Sequence, residues 1–389
     1  MDAGPIPAPP TPHARWRPEG CDQIALVLQG GGALGAYQAG VYQALHEAGL
    51  EPDWVTGVSI GSINGAIIAG NPIERRLERL EEFWDTITAR PVLPFLAPDM
   101  IDGDGPRRAF HSLSSMMAMT LGQPGFFTPR NPNPWLAPRG ARGATSLYDT
   151  APLRETLARL VDFDLLNSRA VRYAAGAVNV ATGNFYFFDS AHQEIGPEHA
   201  MASGALPPAL PMVRIGTDFY WDGGIVSNTP LQHLLDHAGS SNLLVFQVDL
   251  FGARGPVPRD MFDVLARQKD IQYSSRTRMV TDMFMRLHRS KMKLRELLAK
   301  MPDDTLDDED RKLKKELSSL PEIAILHLIY QQKAHECENK DYDFSATSMR
   351  SHWKSGYRDT RATLQHEDWL KMPSEEQGMV MHDVHRALD

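Results

Sequence analysis

A serine at the centre of Gly57-Val58-Ser59-Ile60-Gly61 is the residue whose type and spacing point most directly to chemistry. Glycine two positions before and two positions after it leaves room for a tight turn from a strand into a helix. In such a turn the hydroxyl lies at the N-terminus of the helix, where N–H groups and the helix dipole stabilise developing negative charge. The pattern predicts that Ser59 is a nucleophile, with a structural Gly-Ser turn as the alternative.

A glycine-rich segment comes one predicted strand before this serine. Its four glycines are Gly30, Gly31, Gly32 and Gly35. Their N–H groups could hold the oxyanion of a tetrahedral intermediate. They also fit the dinucleotide-binding pattern G-x-G-x-x-G, with Glu51 and Asp53 as candidate ribose-binding acids. Because these acids precede the second strand, the spacing favours an oxyanion hole over a nucleotide loop, with a turn that binds no ligand as the third interpretation.

A carboxylate much further along the chain is the candidate base. Asp222 ends an aromatic strand-like run and is followed by Gly223 and Gly224. A carboxylate at such a strand end can reach a hydroxyl at the end of another strand. Aspartate before glycine also commonly caps a turn, so this motif alone leaves both roles open.

The elements that must position these residues alternate between strands and helices. Apolar runs predict strands at 24–29, 54–58, 171–178, 185–188, 218–221, 243–250 and 323–329. Apolar residues at helical spacing predict helices at 36–48, 60–69, 74–89, 152–161, 260–300 and 346–364. Since the first strand is apolar throughout, we expect an α/β fold with a parallel-type sheet covered on both faces.

Three segments depart from this alternation. Residues 1–20 are rich in proline and predict an extended or disordered leader. Residues 90–142, also proline-rich, predict a long loop with a short helix at 110–121. We expect its residues Leu113, Met116, Met117 and Met119 to pack over the core edge, with a lid or acyl-chain gate as the alternative.

Residues 276–300 form a basic amphipathic pattern, for which packing on the domain is favoured over contact with an anionic membrane.

Composition narrows the function further. The 389 residues are 42% hydrophobic and carry a net charge of −9, which makes nucleic acid an unfavourable partner. The two cysteines, Cys21 and Cys337, form no disulfide framework or zinc-ligand spacing. The sequence has no apolar run of membrane-spanning length and no signal-peptide pattern. We therefore expect a cytoplasmic protein, with peripheral contact at the inner membrane surface as the alternative.

The three motifs, taken together and in this order, resemble the patatin-like phospholipase family. They are the glycine loop 30–35, the elbow 57–61 and the triplet 222–224, and residues 202–208 resemble the usual lead-in to the third motif. The resemblance covers residues 22–250. It implies a three-layer α/β/α hydrolase sandwich at 21–255. Residues 256–389 resemble a mostly helical C-terminal extension found in some bacterial members. Three roles are open for it, namely capping of the active site, oligomerisation and docking on a membrane.

The resemblance also implies a chemistry. It is that of a serine acyl hydrolase acting on carboxylic esters of lipids, as a phospholipase A or lysophospholipase does, without metal or cofactor. Ser59 would be the nucleophile of a Ser-Asp dyad that forms an acyl-enzyme, and Asp222 would be its base. The oxyanion hole would be formed by the glycine loop with Gly30, Gly31, Gly32 and Gly35, in which backbone N–H groups near Gly31 and Gly32 would hold the oxyanion. Gly57, Gly61, Gly223 and Gly224 would support the turns. A histidine triad is the mechanistic rival, with candidates His192, His199 and His233.

One position departs from the family pattern and bears on the substrate. Leu34 stands where many relatives have arginine or lysine. Its lack of charge weakens the expectation of a phosphate head group. A short-chain hydroxyacyl-ester or oligoester hydrolase is therefore the runner-up, and an inactive membrane-associated scaffold is the alternative from another class. The expected partner is a lipid or small ester, and the sequence leaves the oligomeric state open.

Overall fold

A computed structural model describes residues 15–88, 104–141, 143–333, 336 and 339–383, without the side chains of 104–109, 111, 275–278 and 303. Eleven strands lie in the described ranges: β1 Gln23–Leu28, β2 Trp54–Val58, β3 Thr128–Pro129, β4 Tyr148–Asp149, β5 Arg172–Asn179, β6 Phe185–Asp189, β7 Val213–Ile215, β8 Asp218–Asp222, β9 Leu243–Asp249, β10 Ile323–Ile329 and β11 Met379–Asp383. The helices described are α1 Ala36–Glu47, α2 Ile60–Ala69, α3 Ile73–Thr88, α4 Asp104–Leu121, α5 Ala151–Leu160, α6 Phe163–Asn167, α7 Pro197–Ser203, α8 Leu231–Asp236, α9 Met261–Lys300, α10 Asp308–Leu317 and α11 Ala346–Leu364.

Nine of these strands form one mixed sheet, in the order β11-β10-β9-β1-β2-β5-β8-β7, with β6 paired to β5. The pairings from β11 across to β5 are parallel, and those of β6, β7 and β8 are antiparallel. The ends of β1 and β2 that carry the predicted motifs therefore lie at the same edge of the sheet.

Helices cover both faces of this sheet. Ile24, Leu26 and Leu28 of β1 enter a large apolar core that includes residues of α1, α2, α3 and α11. The alternate residues Ala25 and Val27 enter a second core with residues of α8 and α9. This alternation is what a strand buried on both faces requires, and it confirms the predicted three-layer α/β/α arrangement.

The C-terminal region is mostly helical, as expected, but it is also part of the same sheet. β10 pairs with β9 and β11 pairs with β10, so the sheet continues past the predicted boundary at residue 255. Helix α11 crosses α1 at very close range, since a Cβ on Gly40 would lie 1.9 Å from the Trp353 carbonyl oxygen. A Cβ on Gly356 would lie 2.0 Å from the Tyr37 carbonyl oxygen. The two glycines let the backbones of α1 and α11 come into direct contact, which packs the C-terminal region against a helix that covers the sheet.

Two segment predictions need correction. The long loop at 90–142 contains α4, an 18-residue helix, and Pro106 is tolerated because it lies in the first turn. Within α4, Met116 and Met119 are 56% and 37% exposed, so neither packs over the core edge as expected. At the end of the predicted leader, the Trp16 N–H donates to the Gly49 carbonyl oxygen and Arg17 pairs with Asp53, so this part packs on the domain.

Some predictions fall on residues beyond those described. They concern residues 1–14 of the leader, residue 89 of the predicted helix 74–89, and residues 90–103 and 142 of the long loop. Residues 334, 335, 338 and 384–389 of the predicted extension, together with Cys337, also lie outside the described residues. No helix in the described ranges is long and apolar enough to cross a bilayer.

Candidate active site

Ser59 lies at a sharp turn between β2 and α2. Its φ of 55° and ψ of −126° belong to a region that a non-glycine residue rarely adopts. A Cβ on Gly57 would lie 2.3 Å from the backbone of Gly61, and a Cβ on Gly61 would lie 2.3 Å from the Leu28 carbonyl oxygen. The two glycines of the predicted elbow are therefore required by close backbone contacts.

A second serine, Ser203, supports this turn. The Ser59 N–H donates to both the carbonyl oxygen and Oγ of Ser203, at 3.1 and 3.0 Å. The Ser203 hydroxyl in turn donates to the Gly176 carbonyl oxygen at 2.6 Å. Ser203 thus holds the strained turn against β5, a role that the sequence analysis did not assign to it.

The register of β5 explains why Asp222 lies beside Ser59. Val58, the last residue of β2, pairs with Gly176, and Asp222, the last residue of β8, pairs with Ala177. Strands β2 and β8 share one edge of β5, so their carboxyl ends meet at consecutive positions. Ser59 and Asp222 line the same cavity, and the Ser59 hydroxyl is near enough to the Asp222 carboxylate to keep its pKa lower than burial alone would.

The surroundings of Asp222 make its carboxylate a stronger proton acceptor than usual. Asp222 is 2% exposed, and burial raises its pKa to about 7, although the Ser59 hydroxyl and the Gly224 N–H lower it in part. The Gly224 N–H donates to Asp222 Oδ1 at 2.7 Å. Asp222 therefore caps the following turn and lies beside Ser59, so the two roles left open by the sequence coexist.

The glycine loop also faces Ser59, but its four glycines differ. The N–H of Gly30 donates to the Asn228 carbonyl oxygen at 3.3 Å, and Asn228 Nδ2 donates back to the Gly30 carbonyl oxygen at 2.9 Å. Gly31 and Gly32 line the cavity beside Ser59, and their N–H groups have no acceptor in the part of the chain that is described.

The structure gives the four glycines of the predicted oxyanion loop different surroundings. The N–H of Gly30 is already engaged by Asn228. Gly35 is absent from the described cavity lining, and a Cβ on it would lie 2.4 Å from Ile60. Only Gly31 and Gly32 remain as candidate donors, while Gly30 and Gly35 allow close packing.

A cavity that is partly open to solvent contains Ser59 and Asp222. Its apolar lining includes Ile60, Ile63, Phe126, Phe127, Leu206, Ala209, Leu210, Phe251 and Phe344. Its polar lining includes Tyr148, Asn228, Tyr273, Asp341 and Tyr342. No lysine, arginine or histidine is among the described residues of the lining. The cavity therefore fits an apolar chain next to an uncharged polar group.

The histidines proposed for a triad lie elsewhere. His233 Nε2 is 2.9 Å from Asp189 Oδ2, and His199 Nδ1 accepts a hydrogen bond from the Gly196 N–H. The ring of His192 faces that of His237 at 6.3 Å. Because none of the three lines the cavity, the structure gives a histidine triad no support.

The acids proposed for a nucleotide site are also engaged elsewhere. Glu51 pairs with Arg76 at 2.7 Å, and Asp53 accepts a hydrogen bond from the Ile24 N–H at 2.8 Å. Both acids precede β2, so they lie at the end of the sheet opposite the glycine loop. Within the described ranges, no group of His, Cys, Asp and Glu side chains could hold a metal ion.

Two ranges of the chain match models of known protein families. Residues 26–235, more than half of the chain, match a family model described as "Patatin-like phospholipase". Residues 271–376 match a second model described as "Patatin phospholipase". The first match covers the sheet strands from β2 to β8 and the second covers β10 and α11, whereas β9 and β11 lie outside both.

Sequence relatives match shorter stretches. "Patatin-like phospholipase domain-containing protein 6" of Mus musculus is 42% identical over 93 residues, which is 23% of this chain and 7% of that protein. "Lysophospholipase nte1" of Aspergillus terreus is 54% identical over 46 residues, 12% of this chain and 3% of that protein. The chain therefore matches only a small part of the length of these relatives.

Two bacterial proteins of known structure are more distant. VipD from Legionella pneumophila aligns over 88% of this chain and 67% of its own, with a TM-score of 0.38 and 16% identity. The type III effector ExoU aligns over 92% of this chain and 55% of its own, with a TM-score of 0.32 and 12% identity. On the family-model match over residues 26–235, the chain belongs to the patatin-like phospholipase family.

Proposed function

We propose that the protein hydrolyses carboxylic esters of lipids, as a phospholipase A or lysophospholipase does, with Ser59 as nucleophile and Asp222 as base. One observation carries the proposal: the Ser59 hydroxyl lies beside the buried carboxylate of Asp222 inside a mostly apolar cavity. The name of the fungal lysophospholipase among the relatives supports the same class of substrate. The intact dyad argues against an inactive scaffold.

The proposed reaction has two halves. Ser59 Oγ attacks the ester carbonyl carbon while its proton passes to Asp222, and the N–H groups of Gly31 and Gly32 hold the oxyanion. The intermediate then expels the alcohol, which takes the proton from Asp222, and an acyl-enzyme remains on Ser59. A water molecule attacks this ester, gives its proton to Asp222 and releases the acid, after which the proton returns to Ser59 Oγ. Since Asp222 must both accept and donate, oxygen esters suit this site better than amides.

A second candidate, hydrolysis of short-chain hydroxyacyl esters or oligoesters, is favoured because the described lining of the cavity contains no lysine, arginine or histidine that could bind a phosphate. Leu34 gives this candidate no support, because its side chain is fully buried in the core. Turnover of p-nitrophenyl esters, monoacylglycerols, lysophospholipids and a hydroxybutyrate oligoester separates the candidates. Turnover of lipid esters only supports the first, preference for the oligoester supports the second, and no turnover of any ester contradicts both.

The pH dependence of the reaction provides a prediction. Only the ionised form of Asp222 can accept the proton of Ser59, and its pKa is raised to about 7 by burial. We therefore expect kcat/KM to rise tenfold per pH unit below about pH 7 and to level off above it. Circular dichroism at each pH controls for unfolding. A flat or falling kcat/KM between pH 5.5 and 8 in folded protein would exclude Asp222 as the base.

We also propose that α9 contacts the surface of an anionic membrane. One side of the helix packs on the protein through Thr281, His288 and Met292. Apolar residues are exposed along another side: Met279, Met283, Leu287, Leu294 and Leu297. The exposed basic residues of this part are Arg286, Arg289, Lys291, Lys293 and Lys300. Like charges disfavour pairing with a second copy of α9, whereas anionic lipid complements both the charge and the apolar stripe.

Vesicle flotation tests the membrane proposal. Removing two basic side chains in Arg286→Gln/Lys293→Gln should weaken binding to phosphatidylglycerol vesicles about tenfold or more, at roughly 1 kcal/mol for each charge. Met283→Gln/Leu287→Gln should also weaken it, while the exposed control Leu136→Gln should not. Equal binding of wild type and both double variants, or equal binding to anionic and neutral vesicles, would contradict the proposal.

A further inference from the structure

A segment of the C-terminal region lies directly against the glycine loop. Gly32 has a φ of +54°, and a Cβ on it would lie 2.3 Å from the Asp341 carbonyl oxygen. The same segment contributes Asp341, Tyr342 and Phe344 to the cavity lining. The residues matched by the first family model, 26–235, therefore leave this side of the cavity to be closed by the C-terminal region.

Two ion pairs hold this segment to α9. Lys269 Nζ lies 2.7 Å from Asp341 Oδ1, and Lys340 Nζ lies 2.7 Å from Asp270 Oδ1. Each of the two segments carries a lysine followed by an aspartate. A shift of one residue between the segments would therefore place two lysines or two aspartates opposite each other. Lys340 is 4% exposed and also donates to Gln332 Oε1, which satisfies the buried ammonium group. The crossed pairs fix both the position and the register of residues 340 and 341.

An aromatic cluster joins the end of this segment to the apolar part of the cavity. The ring of Phe344 lies 5.9 Å from that of Phe126 and 6.4 Å from that of Phe127. The ring of Phe127 lies 4.7 Å from that of Tyr148. All four rings line the cavity, and Phe344 is only 4% exposed. Phe344 thus closes the apolar lining with a side chain from outside the hydrolase motifs.

We propose that residues 339–344 form one wall of an acyl-binding subsite, in which Phe344 limits the length of the acyl chain. The inference rests on the proposed ester hydrolysis and adds the part of the chain that selects the substrate. The ligand class is an uncharged acyl chain, because the described lining contains no cation. The ion pairs at Lys269 and Lys340 act as positioning contacts for this wall.

Chain-length selectivity tests the subsite. Phe344→Ala should shift the ratio of kcat/KM for a p-nitrophenyl palmitate to that for a butyrate by about tenfold or more towards palmitate, since one methylene in an apolar pocket is worth roughly 10- to 200-fold. Phe344→Trp should shift the ratio towards butyrate. The control Phe262→Ala removes an aromatic ring of α9 that is 62% exposed and should leave the ratio unchanged. Unchanged ratios in both Phe344 variants would overturn the proposal.

A binding measurement separates this inference from the proposed function. Fluorescent fatty acids of increasing length are titrated into Ser59→Ala protein with and without Phe344→Ala. A shift towards longer chains supports the subsite even if no ester is turned over, in which case the proposed function alone fails. Identical binding profiles together with normal turnover by wild type overturn the subsite alone.

Substitutions of Lys269 test the positioning role of its ion pair with Asp341. Lys269→Met should raise KM for palmitate and flatten the chain-length profile, with kcat for butyrate changed less than about threefold, whereas Lys269→Arg should restore the profile. The control Lys371→Met removes an exposed pair with Asp368 and should change neither parameter. A uniform fall in kcat for all chain lengths in Lys269→Met, or no change at all, would overturn the positioning role.

Discussion

Replacing Ser59 by alanine is expected to reduce kcat for ester hydrolysis by about 10⁴- to 10⁶-fold, the range seen when the nucleophile of a serine hydrolase is removed. The fold should persist, because the Ser203 hydrogen bonds reach the backbone N–H of residue 59 and not its side chain. Alanine keeps the Cβ and the unusual backbone angles of this position. The melting temperature should therefore stay within a few degrees of that of the wild type. Steady-state kinetics and thermal unfolding measure the two effects.

The matched control is Ser62→Ala, in the first turn of the same helix. The Ser62 hydroxyl donates to the carbonyl oxygen of Ser59 at 2.7 Å, and Ser62 is absent from the described cavity lining. Its loss should cost some stability and leave kcat within about tenfold. A Ser59→Ala protein that retains more than a tenth of wild-type turnover would remove Ser59 from the mechanism.

The second large effect is expected for Asp222→Asn. The amide matches the carboxylate in shape but cannot accept the proton of Ser59, so kcat should fall about 10²- to 10⁴-fold. The Gly224 N–H can still donate to the amide oxygen, which preserves the turn. The variant also removes a buried carboxylate, so its unfolding free energy should not decrease by more than about 1 kcal/mol.

Asp218→Asn is the control for this substitution. Asp218 lies at the start of the same strand, β8, and is exposed. The Asp218→Asn variant should retain the wild-type kcat and the same rise of kcat/KM with pH. Turnover by Asp222→Asn within tenfold of wild type, in folded protein, would show that another group accepts the proton.

The elbow and the Asp222 triplet could be predicted because their chemistry is encoded in local spacing. Gly57 is required because a Cβ on it would collide with the backbone of Gly61 in the same turn, and Gly61 is required because a Cβ on it would collide with the end of β1. The spacing of the two glycines is therefore visible in the sequence. Strand and helix positions follow from apolar periodicity in the same way. The catalytic roles of Ser59 and Asp222 remain proposals that the kinetics above test.

The contributions of distant residues could not be predicted in this way. Ser203 and Asn228 act on Ser59 and Gly30 through pairings that depend on the register of β5 and on the turn after β8. In the sequence, a glycine that faces a cavity looks the same as one that packs on a helix, so the sequence could not distinguish the surroundings of Gly35 from those of Gly31 and Gly32. The helix predicted at 110–121 was too short, because Pro106 hides the first turns of α4 even though a proline is tolerated there.

The C-terminal region shows the same limit most clearly. Strands β9 and β10 were both predicted from their apolar runs, but their pairing with each other was not, since parallel pairing is not encoded in adjacent residues. The crossed pairs between residues 269–270 and 340–341 join positions about seventy residues apart. The sequence analysis assigned no role in the cavity to any of these residues.

The most direct test of the Ser59–Asp222 mechanism is the intact mass of the protein, quenched with acid during turnover of a slowly deacylated p-nitrophenyl ester. We expect one acyl group per chain, located by proteolysis on the peptide that contains Ser59. The adduct should be absent from Ser59→Ala and should form more slowly below about pH 7, where Asp222 is protonated. An acyl group on any other residue, or continued turnover by Ser59→Ala, would exclude Ser59 as the nucleophile.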